Sequence, residues 1–103
     1  MIKAVMWSLL VVGASVAHAD TFMTGAQLFE KMGGEVSDRA LAMGYVEGVF
    51  DGVAGACAPP PVSSREVYDA TRRRLELQPS ERQRPAAQLV LAAILESWPC
   101  KKP

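Results

Sequence analysis

Histidine is nearly absent from this chain of 103 residues: His18 is the only one. Cysteine is scarce as well, with Cys57 and Cys100 alone and no CxxC spacing. Charge of neither sign prevails, since 11 basic residues stand against 11 acidic ones. Each shortage excludes something. Without an excess of Lys and Arg, the chain does not read as a general binder of nucleic acid or of a membrane surface. Without CxxC or a second histidine, the usual spacings of zinc and thiol-redox sites are missing, and no metal or cofactor is expected. Alternating strand patterns, internal repeats and low-complexity tracts are also missing, which leaves helical periodicity as the organising signal.

The N-terminus, "MIKAVMWSLLVVGASVAHAD", has the layout of a secretory leader. Lys3 gives a short positive region, Ala4 to Ala17 is an apolar run, and Ala17-His18-Ala19 fits a small-x-small cleavage site. The run falls short of the ~20 residues of a spanning helix, so an uncleaved anchor is the weaker reading. No cysteine follows the site, which disfavours a lipid anchor. The expectation is a signal peptide over residues 1–19 and an exported, soluble domain over residues 20–103, with no membrane attachment after cleavage. Lys3 and His18 leave with the leader. The mature chain then carries 10 basic and 11 acidic residues, a net charge of −1, and no histidine for catalysis or metal binding.

A domain this small buries a modest core and gains from a staple. Two cysteines in an exported chain supply one, and an intramolecular Cys57–Cys100 disulfide is the expectation. It would close a loop of about 44 residues, worth roughly 4 kcal/mol in the chain-entropy model. An intermolecular bridge and a reactive thiol are the rival readings, and neither has local support.

Four helices are expected, and the fold class is all-α. Thr24 with Gln27 forms a capping box ahead of a first helix that runs through Leu28, Phe29 and Met32 to Gly33-Gly34. Ser37 is the expected cap of a second helix, continuing to about Gly55, with "CAPPPV" as its terminator. Ser63 with Glu66 makes another capping box and opens a third helix, ending near Leu77. Pro85, at a first-turn position, starts a fourth that runs to Pro99.

The second helix poses the sharpest question. Gly44, Gly48 and Gly52 fall at every fourth position, and three interior glycines forgo roughly 2.5–3 kcal/mol of helix propensity. Apolar residues from Leu41 to Val53 cover more than half of the helix wheel, with Glu47 and Asp51 in a narrow polar wedge. The spacing therefore predicts a central helix whose glycine stripe lets another helix backbone approach closely. A transmembrane GxxxG seam is excluded by the two carboxylates beside the stripe.

Three charged features need weighing. Glu47 and Asp51 share a helix face, but no nucleophile or histidine joins them, so a solvated or arginine-paired wedge outweighs acid–base chemistry. In "RRR", Arg72 and Arg73 are expected to face solvent, while Arg74 projects toward the apolar side and pairs with a carboxylate, Asp51 or Glu47. The proline-bounded stretch "QPSERQRP" is either an ordinary turn with Ser80 as a cap or a stiff, charged partner-binding loop carrying Glu81, Arg82 and Arg84.

In order, the stretches "TGAQLFEKM", "MGYVEGVFDG", a cysteine before a proline-rich turn, and "LELQPSERQRPAAQLVLAAILESWPC" resemble the Rap/Tai immunity proteins of type VI secretion. The resemblance spans about Phe22 to Cys100. It implies a small periplasmic helical protein, often a homodimer, that binds a peptidoglycan amidase effector and occludes its active site. Cys57 and Cys100 match the family's C-terminal disulfide. A second cysteine pair common in the family is replaced here by Met32 and Ala42. The expected function is thus inhibition of a wall-degrading effector rather than enzymatic. The alternative is a non-inhibitory periplasmic envelope protein on the same scaffold.

Overall fold

The computed structural model describes residues 22–57 and 61–100, without the side chains of 54–57. The leader over 1–19 lies outside the described residues, as do Ala58, Pro59 and Pro60 of the expected terminator. Four α-helices follow in order: α1 Gly25–Met32, α2 Val36–Cys57, α3 Ser64–Leu77 and α4 Ala86–Ser97. A 3-10 turn, Pro79–Glu81, lies between α3 and α4. Among the described residues there is no strand, only an isolated bridge between Thr24 and Pro85.

Both predicted capping boxes form. The Thr24 hydroxyl accepts from the Gln27 amide at 3.2 Å while the Thr24 amide donates to Gln27 Oε1 at 2.9 Å. Ser63 and Glu66 do the same at 3.1 and 2.8 Å. Three further boundaries move by a residue or two. Helix α2 opens at Val36, with the Arg39 amide bonded to the Glu35 carbonyl at 2.9 Å, so Ser37 sits inside the first turn and is not the cap. Pro85 is the N-cap of α4 rather than its first helical residue, and α4 ends at Ser97, with Trp98 as the C-cap.

Helix α2 packs against α1, α3 and α4 as its broad apolar surface predicts, but it is not singled out as central, since each of the other described helices also touches all the rest. The core joins Leu28 and Met32 of α1 to Ala42, Val46 and Val53 of α2. Val67, Tyr68 and Leu75 of α3 and Ala86, Leu89, Val90 and Ile94 of α4 complete it. Met32 and Ala42, where a second cysteine pair is absent, are both buried in it. Thr71 is the buried polar residue, and its hydroxyl donates to the Val67 carbonyl at 2.9 Å, so its burial leaves no donor unpaired.

The glycine stripe is where the sequence-based expectation fails. Gly44, Gly48 and Gly52 are all exposed, and apart from adjacent residues and the helix's own backbone no described atom lies within 4 Å of where a Cβ would stand at any of them. Helix α2 buries its other side, through Ala42, Val46 and Val53. Within the described chain, no helix packs on the stripe.

A different glycine makes the close approach. Gly25 is buried at the start of α1, and a Cβ there would overlap Leu89 Cδ1 and stand 3.1 Å from the Arg82 carbonyl oxygen. The first amides of a helix need partners from outside it. Here the Gly25 amide donates to the Arg84 carbonyl at 2.9 Å and the Ala26 amide to the Arg82 carbonyl at 2.8 Å. The Ala86 amide, first in α4, donates to the Met23 carbonyl at 2.9 Å. The start of α1 and the α3–α4 connection are therefore one hydrogen-bonded unit.

Candidate functional site

The connection between α3 and α4 holds the predicted partner-binding residues, and its geometry divides them. Arg82 turns back onto the fold. Its Nε donates to the Leu75 carbonyl at 2.7 Å, capping the end of α3, and its guanidinium lies 4.2 Å from the centroid of the Phe29 ring. Glu81 is also engaged, 3.1 Å from an Arg74 nitrogen, with its side chain 22% exposed. Arg84 is 60% exposed and makes only a 3.8 Å contact with Glu81. Of the three, Arg84 alone is left largely at the surface, beside exposed Ser80 and Gln83. Ser80 lies within the 3-10 turn, which has no side-chain cap, so the predicted Ser80 cap does not form.

Arg74 is inward, as its place on the helix predicts, but its partners are not those expected. It bridges Glu81 and Glu96 at 3.1 and 3.2 Å, with its side chain 16% exposed, rather than reaching Asp51 or Glu47. Glu81 sits in the connection and Glu96 on α4, so one guanidinium ties three segments together. Arg72 and Arg73 face solvent as expected, Arg72 lying 3.6 Å from Glu76.

Glu47 and Asp51 have no ion-pair or hydrogen-bond partner among the described residues. They rim a shallow cleft of ≈ 320 Å³ with Phe50, Val62 and the first turn of α3. The cleft is also lined by Ser63 and Ser64, and the Ser63 hydroxyl is engaged as the α3 cap, accepting from the Glu66 amide at 3.1 Å. Among the described residues, no group of three or more His, Cys, Asp and Glu could hold a metal ion. No described cysteine is free; the Cys57 side chain lies outside the described residues, and Cys100 is exposed just beyond α4.

The chain belongs to the family of Rap1a immunity proteins, whose model matches residues 24–100. That match spans the four described helices and both capping boxes. No similar chain is found among curated proteins or among solved structures. Immunity proteins act by binding a secreted effector, and the family is generally non-enzymatic.

Proposed function

We propose that this protein is a periplasmic immunity factor that binds a peptidoglycan amidase effector of type VI secretion and blocks its action on wall peptides. The observation that carries the reading is the family match over residues 24–100. A leader over residues 1–19 takes the chain to the compartment where the wall is exposed. There, a Cys57–Cys100 disulfide holds the end of α2 to the chain following α4. A chain that meets its target only after export benefits from such a staple, because small domains have little stability to spare.

The α3–α4 connection suits a binding role. Its backbone is bonded to α1, and its middle is held by the Arg74–Glu81 and Arg82–Leu75 contacts, so little conformational freedom is lost when a partner docks. In this reading Arg84 touches the effector, while Glu81 and Arg82 hold the loop in shape. The homodimer implied by the resemblance belongs to the same reading, and sedimentation of the mature chain tests it.

The test of function uses mature protein, purified wall and the secreted product of the neighbouring reading frame. Stoichiometric addition of this protein is expected to abolish release of stem peptides and to yield a stable complex. Unchanged hydrolysis without complex formation would move the assignment to the envelope-protein alternative.

A further inference from the structure

Where the end of α1, the first turns of α2 and the outer face of α3 meet, a cleft of ≈ 240 Å³ opens on the side of α2 away from the glycine stripe. Arg39, Arg65 and Arg72 line it together with Tyr68, Asp69 and two methionines. Three arginines and one carboxylate, Asp69, therefore line it, with Glu76 beside Arg72 just beyond the lining, in a chain whose charges otherwise balance.

The arginines are only lightly engaged. Arg39 donates from one nitrogen to the Gly34 carbonyl at 3.0 Å. Arg65 lies 3.8 Å from Asp69 and Arg72 lies 3.6 Å from Glu76, both pairs well exposed on one helix. Such pairs are weak and readily exchanged. A guanidinium carries five N–H donors, and each of these contacts uses one nitrogen, so most donors are available.

Tyr68 adds an independent observation. It is 7% exposed, yet its hydroxyl has no hydrogen-bond partner among the described residues. Among the described residues, the enclosed side-chain nitrogen or oxygen without a partner is Arg74 Nε, so the Tyr68 hydroxyl is accessible to solvent, and Tyr68 lines the cleft. Packing alone would be served by phenylalanine. A tyrosine whose body is buried and whose hydroxyl stays accessible, lining one cleft with three arginines, instead adds a donor to a set matched to an anion.

We propose that this cleft receives the carboxylate of an aspartate or glutamate on the surface of the partner protein. The carboxylate accepts from the Tyr68 hydroxyl and from N–H donors of Arg65 and Arg72, and Arg39 adds positive charge. The identity of the partner as an effector rests on the immunity reading; the chemistry of the cleft does not.

Two arms keep these claims separable. In the first, binding of the neighbouring-frame product is measured for the mature protein, for Tyr68→Phe and for Arg65→Ala/Arg72→Ala, with melting curves to verify folding. The expected result is at least tenfold weaker binding by the double variant, severalfold weaker binding by Tyr68→Phe, and a shallower salt dependence for the double variant. Wild-type binding with both variants unchanged would overturn the cleft proposal and leave the immunity reading standing. In the second arm, a hexaglutamate peptide is titrated into labelled protein, with hexaglutamine as the uncharged control. Shifts confined to Tyr68 and the arginine Nε signals, seen with hexaglutamate alone, support the cleft even if no effector binds. Their absence overturns it.

Discussion

Substituting Gly25 with alanine adds one methyl group at the most constrained glycine among the described residues. The new Cβ would overlap Leu89 Cδ1 and stand 3.1 and 3.2 Å from the Arg82 carbonyl oxygen and Cα. Leu89 is 2% exposed and packed in the core, so its side chain has little room to turn away. The Arg82 backbone cannot retreat without lengthening the Ala26–Arg82 and Gly25–Arg84 hydrogen bonds, now 2.8 and 2.9 Å. Overpacking of this kind costs about 1–3 kcal/mol, and one weakened hydrogen bond adds about 1 kcal/mol. Alanine's lower unfolded-state entropy returns roughly 0.5–1 kcal/mol. The net expectation is a loss of about 2 kcal/mol, lowering the melting temperature by roughly 8–16 °C for a domain of this size. Thermal unfolding followed by circular dichroism measures it. An unchanged or raised melting temperature for Gly25→Ala would refute the close approach of α1 to the α3–α4 connection.

The exposed stripe gives the opposite sign: Gly48→Ala should stabilise by up to about 1 kcal/mol, read as a higher urea midpoint at unchanged slope. A loss of stability there would mean that something covers the stripe. Arg82→Ala should cost about 1–3 kcal/mol, because the Leu75 carbonyl loses its charged donor and Phe29 its cation, whereas Arg84→Ala should stay within about ±0.5 kcal/mol in the same melting assay. For the proposed Cys57–Cys100 bond, thiol counting under denaturing conditions on protein from the periplasm should find no free thiols; two would refute it.

Local signals were the legible part of this fold. Thr24 with Gln27 and Ser63 with Glu66 sit three residues apart, and nothing remote is needed to form their reciprocal bonds. Arg74 was half legible. Helical periodicity aims it inward, but its partners, Glu81 and Glu96, arrive from the turn and from α4, which only the tertiary arrangement decides. The glycines show the same limit twice. A spacing of four reveals a stripe on α2 but not what covers it, and among the described residues nothing does. Gly25 carries no periodic signal at all, since its constraint comes from Arg82 and Leu89, far along the chain. Arg82 is charged and sits between prolines, which suggests a surface contact; instead it caps α3. The grouping of Tyr68 with Arg39, Arg65 and Arg72 has no signature in the sequence, because the four come from two helices and converge only once α2 and α3 pack.

The central claim is immunity in the periplasm, and protection of cells tests it most directly. A sensitive bacterium expresses the neighbouring-frame product, directed to its periplasm, with the full-length protein, with residues 20–103 alone, or with neither. The account predicts survival only with the full-length protein, and lysis both without it and with the leaderless chain. Lysis despite full-length protein recovered from the periplasm, or equal protection by the leaderless form, would contradict it.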